Sequence, residues 1–174
     1  LEVIQPVWWR PLGWWRVRVN VAGVGSSGSG DGEGERETTL LPVGTLDDAL
    51  RVLTLLAPRV SAWQWNDAVL GEGPQPGWQT SSARAKLFDP LSWRRNGWSD
   101  TDGAVLLRSG RLTRRAIAVP HARIQSLTLQ QGWLQASRRV ATLHVIPAPG
   151  PISPVIDHLD TEAAVRLELG ERRM

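Results

Sequence analysis

An order of segments that occurs twice constrains this chain more than any single motif. Ile4-Gln5 is followed by Trp14-Trp15-Arg16-Val17-Arg18-Val19-Asn20-Val21, then Leu40-Leu41, then Thr45-Leu46-Asp47-Asp48-Ala49-Leu50-Arg51-Val52. Later, Ile124-Gln125 is followed by Val140-Ala141-Thr142-Leu143-His144-Val145, then Val155-Ile156, then Asp160-Thr161-Glu162-Ala163-Ala164-Val165-Arg166-Leu167. The offset, roughly 115 to 120 residues, is too long for a solenoid repeat and suits a small domain.

Each copy reads as strands, a loop, a short apolar strand and a closing helix. Arg16, Arg18 and Asn20 alternate with Val17, Val19 and Val21, the period of a strand wet on one face. Thr45 suits an N-cap, its hydroxyl accepting from the backbone N–H of Asp48, whose carboxylate favours the positive helix end. Leu46, Ala49, Leu50, Leu53 and Leu56 make the helical stripe, and Pro58 stops it. In the second copy Asp160 takes the cap position and Gly170 suits the C-terminal end.

The second copy is preceded by about 60 residues that have no counterpart before Ile4, so the first copy reads as the back half of a truncated module. These residues supply strand-like stretches at 93–99 and 105–120, with turns at Asp100-Thr101-Asp102-Gly103 and Ser109-Gly110. The expected division is a half module at 1–57, a connector at 58–92, a complete module at 93–169 and a tail at 170–174. Gly71, Gly73, Pro74, Pro76 and Gly77 carry the connector reading. Ser81 and Ser82 are caps for a short helix to Phe88, ended by Asp89-Pro90. The half module lacks strands to complete its barrel, so its edges are expected to be open to mispairing and its amides poorly protected.

The chain has 174 residues, 41% hydrophobic, enough for one sizeable core or two small ones. It begins with Leu, carries no secretory-signal pattern and reads as an excised piece. No uncharged apolar run approaches the roughly 18 to 20 residues that a membrane-spanning helix needs. The absence of cysteine removes disulfides, thiolate catalysis and cysteine-ligated zinc. Net charge is +3, but residues 84–139 hold eleven basic side chains against Asp89, Asp100 and Asp102, a local balance of +8. Such a segment suits an anionic partner or a solvated basic face.

Leu106-Leu107-Arg108-Ser109-Gly110-Arg111-Leu112-Thr113-Arg114-Arg115, followed by Val119-Pro120-His121-Ala122-Arg123-Ile124-Gln125-Ser126, resembles the bacterial PH domain family found in YdbS-like and YdbT-like membrane proteins. The Val-Pro-x-x-Arg-Ile-Gln core is the most telling part. Leu134-Gln135 and Val140-Ala141-Thr142-Leu143-His144-Val145 are similar to the segments that follow it in the family. Ala136 stands where the family usually has Arg, and Arg138 and Arg139 where it has an apolar residue and a Gly. The resemblance implies a mainly β fold of α+β type: a PH-like split β-barrel capped by a C-terminal α-helix, one full copy plus the second half of another. It also implies a longer, multi-module, non-enzymatic protein of the cell envelope, of which this is a C-terminal fragment, with paired membrane-spanning helices upstream. No ligand or cofactor is implied.

Gly23-Val24-Gly25-Ser26-Ser27-Gly28 has the spelling of a dinucleotide phosphate loop, but a helix N-terminus should follow it, and Ser29-Gly30-Asp31-Gly32-Glu33-Gly34-Glu35 is helix-poor and acidic. His121, His144 and His158 lack zinc-site spacing, and no G-x-S-x-G elbow is present. Arg108, Arg111, Arg114, Arg115 and Arg123 are the candidates for anion or partner contact, since guanidinium matches phosphate and carboxylate in planar geometry. The acidic turn at 100–103 occupies the hairpin where many PH domains hold phosphoinositides, which argues against that ligand. Trp8-Trp9-Arg10, Trp14-Trp15-Arg16, Trp93-Arg94-Arg95 and Trp98 could rest against a membrane surface, as indole favours the headgroup layer and guanidinium the lipid phosphates. Of these, Trp93, Arg94, Arg95 and Trp98 are the candidates for that contact. Trp14, Trp15 and Trp133 are expected in the core or between modules.

The expected function is a non-catalytic interaction module on the cytoplasmic face of a cell-membrane protein, binding a protein partner, sister modules or the membrane surface. A homo-oligomer is compatible with it. Nucleic-acid binding through the basic 84–139 segment is the alternative, with Trp as stacking platforms, and a nucleotide-dependent enzyme using Gly23 to Gly28 is a third.

Overall fold

Strands form where the sequence alternates or runs apolar, and the computed structural model describes residues 1–19, 38–147, 154–162 and 165. Among these, β1 (Glu2–Pro6), β2 (Trp15–Val19), β3 (Thr38–Gly44), β4 (Trp78–Thr80), β5 (Gly97–Asp100), β6 (Ala104–Ser109) and β7 (Thr113–Pro120) form one antiparallel sheet in the order β3-β2-β1-β7-β6-β5-β4. β8 (Ile124–Gln130), β9 (Val140–Pro147) and β10 (Val155–Asp160) form a second, three-stranded antiparallel sheet with β9 in the middle. The helices are α1 (Leu46–Leu56), α2 (Ala62–Leu70) and the short α3 (Trp133–Ser137). Thr161, Glu162 and Val165 are helical after β10. The fold is mostly β, with a large antiparallel sheet and helices, as a PH-like barrel requires.

Pleating sorts the side chains of the large sheet onto two faces. On one face Val3, Val17, Leu106, Ala116 and Ala118 pack with Ala49 and Leu53 of α1 and Trp65, Ala68 and Val69 of α2. On the other, Trp98, Val105, Leu107, Ile117 and Val119 pack with Leu143, Val145, Ile156 and Leu159 of the three-stranded sheet. β6 is therefore covered on both sides, which explains why its Ala-Val-Leu-Leu run does not alternate with polar residues. Fully burying a large apolar side chain contributes about 1.5 to 3 kcal/mol, so these two clusters dominate the favourable side of folding.

The expected turns are in place. Thr101 N and Oγ1 bond Ala104 O at 3.1 and 2.6 Å, closing the β5–β6 hairpin. Gly110 sits at φ +71° in the β6–β7 turn, where an added Cβ would also collide with the Thr113 carbonyl. Ser82 caps a 3-10 turn over Ala83–Leu87 through Arg84 N at 3.3 Å. Asp160 closes β10 ahead of the helical residues, its carboxylate accepting from Ser82 Oγ at 2.7 Å. Gly170 and the tail at 170–174 lie outside the described residues, as does the Gly23 to Gly28 loop.

Two expectations need correction. The edges of residues 1–57 are not both left open: β1 pairs with β2 on one side and with β7 on the other, from Glu2↔Ile117 to Pro6↔Thr113. The segment 58–92 is more than a connector, since it contains α2 and β4 and buries Val60, Trp65 and Trp78 in the core. Its glycines, with Pro74 and Pro76, are confined to the crossing between α2 and β4. The outer strands of the sheet, as described, are β4, only three residues long, and β3, which carries Pro42. Short length and proline both discourage edge pairing.

α1 starts on the expected cap. Thr45 Oγ1 accepts from Asp48 N at 3.2 Å, and the Asp48 carboxylate accepts from Thr45 N at 3.0 Å and Oγ1 at 2.7 Å. The Thr45 hydroxyl, then its backbone N–H, hold the Asp48 carboxyl below the usual range. A depressed carboxyl pKa stabilises the fold above the unfolded value, about 4, and that contribution is lost as pH falls through the folded value. Thr45→Ala is expected to cost about 1 kcal/mol at neutral pH. In urea titrations the difference between wild type and variant should shrink on acidification below pH about 4.

Candidate interaction surface

Two arginines in the basic segment turn inward. Arg95 and Arg108 are essentially inaccessible. Arg95 donates through Nη2 to Ala68 O at 3.1 Å and Val69 O at 2.6 Å, through Nη1 to Gly71 O at 2.9 Å and through Nε to Ser109 O at 3.3 Å. Arg108 donates to Asp67 O at 3.2 Å, Gly73 O at 2.6 Å, Arg95 O at 3.1 Å and the Gln75 side chain, and its guanidinium lies 4.2 Å from the centre of the Trp78 ring. Their targets include the last carbonyls of α2, which have no partner within the helix and carry its negative dipole end. Burial, then repulsion from Arg114 and Arg108, lowers the Arg95 pKa to about 9; burial lowers that of Arg108 to about 10, against the attraction of Asp67 and Glu72. Both stay protonated at neutral pH. Gly71 fits here because a Cβ would collide with Arg108 Nη1 and the Asp67 carbonyl.

A second set of charges ties β1 to its neighbours. Glu2 is 1% exposed, and its carboxylate meets Arg18 Nη2 from β2 and Arg115 Nε from β7, each at 2.6 Å. The carboxylate thus bridges guanidinium groups from both flanking strands.

One group of exposed basic and apolar side chains gathers at one end of the large sheet. There β1 ends at Pro6 and β7 begins at Thr113, opposite each other. A 3-10 turn over Val7–Leu12 follows β1, closed by Gly13 at φ +64°. It exposes Trp8 and Leu12, while Trp9 packs edge-on to Trp14 at 6.3 Å with Arg16 over its ring at 5.1 Å. The β6–β7 turn beside it exposes Arg111 and Leu112, and Arg10 donates to the Arg111 carbonyl. Arg111 N reaches Ser92 Oγ at 3.2 Å, which brings in the turn before β5, with Leu91, Trp93 and exposed Arg94 over the Trp93 ring at 5.2 Å. Arg114 reaches Gln5 Oε1 at 3.3 Å on the flank.

The opposite end is different. It carries Asp100 and Asp102, with His121 Nε2 2.8 Å from Thr101 O and 3.3 Å from Asp100. An apolar groove of about 370 Å³ opens there between Ala57, Val60, Val119 and Pro154, with Arg59 and Arg123 among its lining. His158 stacks on Phe88 at 5.0 Å, away from His121. Among the described residues no three His, Cys, Asp or Glu side chains converge as a metal site would need.

The candidate residues are therefore dispersed. Of the five arginines expected to contact an anion or partner, Arg111 and Arg114 share one end, Arg115 pairs with Glu2, Arg123 lies at the other end, and Arg108 is committed to α2. Of the membrane-contact set, Trp93 and Arg94 stay at the surface, whereas Arg95 and Trp98 are buried and cannot touch a bilayer. Trp15 is in the core as expected; Trp14 is 41% and Trp133 84% exposed, because the 3-10 turn and α3 are surface excursions from the strands. Trp8-Trp9-Arg10 carries the same indole-beside-guanidinium signal and lies at this end, whereas Leu12, Leu91 and Leu112 were not among the expected contacts.

The family model described as "Bacterial PH domain" matches residues 79–170. The chain belongs to the bacterial PH domain family. PH domains are in general non-catalytic interaction modules. The matched stretch takes in the end of β4, all of β5 to β10 and the helical residues after them. No curated protein and no solved structure matches the chain. No helix among the described residues is long and apolar enough to cross a membrane.

Arg139 has φ 55°, in the left-handed region, on the turn leading to β9. A non-glycine residue there costs about 1 to 2 kcal/mol, partly offset by the greater unfolded-state freedom of Gly. Arg139→Gly should therefore raise stability by up to about 1 kcal/mol in urea titration. Arg95→Met should lower it by about 2 to 3 kcal/mol, because the carbonyls of α2 lose their donors. Arg111→Met should change it by less than about 0.5 kcal/mol.

Proposed function

We propose that this chain is a non-catalytic interaction module of a bacterial membrane-associated protein, in which one PH-type module docks on the next by sharing a sheet. The observation that carries this reading is the β1–β7 ladder. Its support is the build of the two pieces. β1-β2-β3 is an antiparallel meander followed by α1, and β8-β9-β10 is an antiparallel meander followed by a helix start. The equivalence of Ile4-Gln5 with Ile124-Gln125 aligns the two in sequence, so residues 1–57 read as the back half of a sister module. Adding a strand to a sheet edge supplies main-chain hydrogen bonds for affinity, and flanking side chains select the partner. Glu2 is suited to that selection, because it pairs with Arg115 across the junction. The cytoplasmic face of the cell membrane is the setting that the family resemblance supports.

The test is amide hydrogen exchange on the full chain and on Val3→Asp, which puts a charge into the core beside Ala116 and Val17. The two pieces should lose protection together, with amides of β5, β6 and β7 exchanging faster along with those of β1 and β2. Wild-type protection in β5 to β7, with only residues 1–57 unfolded, would show that the module does not depend on its docked neighbour.

A further inference from the structure

We infer that the end of the large sheet bearing Trp8, Leu12 and Leu112 seats on an anionic lipid bilayer, with Arg10, Arg94 and Arg111 on lipid phosphates. This rests on the reading of a membrane-associated module and names the surface that faces the membrane. The three apolar tips are 67%, 55% and 59% exposed, on two neighbouring turns joined by the Arg10 to Arg111 hydrogen bond. Large apolar groups exposed side by side are unusual on a protein that meets only water. Indole is suited to the headgroup layer, and basic groups beside it are attracted to anionic lipids.

Charge selects a lipid surface over another apolar partner. The acids at this end are mostly committed: Asp89 accepts from Ser92 N at 2.8 Å and Asn96 Nδ2 at 3.1 Å, Asp47 pairs with Arg51, and Asp48 closes the α1 cap. Among the described residues, Asp67 and Glu72 are the remaining acids beside the arginines. The negative end of the α2 dipole points the same way, and the buried Arg95 and Arg108 offset it. At the far end of the strands Asp100 and Asp102 are offset by Arg59 and Arg123, so the excess of exposed positive charge lies at the end with Arg10, Arg94 and Arg111. A bilayer is the partner that matches both features, an apolar layer edged by phosphate.

Co-sedimentation of the full chain with vesicles tests this, using phosphatidylcholine alone and phosphatidylcholine mixed with phosphatidylglycerol. Binding is expected to the mixed vesicles and to weaken as salt is raised. At roughly five-fold per arginine near an anionic surface, R94Q/R111Q should weaken it about twenty-five-fold. Trp8→Ser with Leu112→Ser should also weaken it, while R138Q/R139Q, on the turn before β9, should leave it within about two-fold. Failure of the wild type to sediment with anionic vesicles at low salt would overturn the inference, as would equal losses in the two arginine double variants. Neither result bears on the β1–β7 ladder, which the exchange experiment tests separately.

Discussion

The arrangement depends on a short antiparallel ladder between β1 and β7. It turns two pieces of chain, each with an edge to satisfy, into one sheet of seven strands. Without it the N–H and C=O groups of β7 on that side would need water or another partner, and Val3 would have no core to enter. The helix layer follows from it too, because α1 and α2 share one cluster with residues of β1, β2, β6 and β7. The face so covered belongs to neither piece alone.

The buried arginines extend the same dependence to the intervening segment. A helix as short as α2 is marginal by itself, and its Ala68 and Val69 carbonyls would be buried without partners. The guanidinium of Arg95, from the turn before β5, satisfies them, and that of Arg108, from β6, adds a second donor to the Asp67 carbonyl. The charges are tolerated because they meet carbonyl oxygens and a helix dipole in place of a carboxylate. Arginine suits this position better than lysine, since its fork reaches several acceptors in fixed directions.

Much of the fold was legible in the sequence. The Thr45 cap, the α1 stripe as far as Leu53, the alternation of β2 and the turns at 100–103 and 109–110 follow from local patterns, and locally encoded features survive assembly; Leu56, the last of the expected stripe, is exposed. What local patterns could not supply was pairing at long range: nothing in Ile4-Gln5 names β7 as its neighbour. α2 was missed although Ser61 and Gln64 form a capping box and Trp65, Ala68 and Val69 share a buried face. The nearby glycines and prolines outweighed that signal. For the surface, counting charge by segment grouped arginines that the fold separates, two of them inside the protein. The end-on cluster joins residues 7–12, 91–94 and 111–112, and no window along the sequence contains all of them.

The β1–β7 ladder also sets a timetable. Val3 and Ala116 are partners across 113 positions, so during synthesis β1 and the β2 run emerge long before the strand that receives β1. Over that interval a strand meant for the middle of a sheet has an open edge, and closing so distant a contact is slow as well as entropically costly. A nascent chain in this condition is exposed to whatever edges lie nearby, including those of other copies. The order in which its strands are made, as much as their final order in the sheet, defines when this protein is vulnerable.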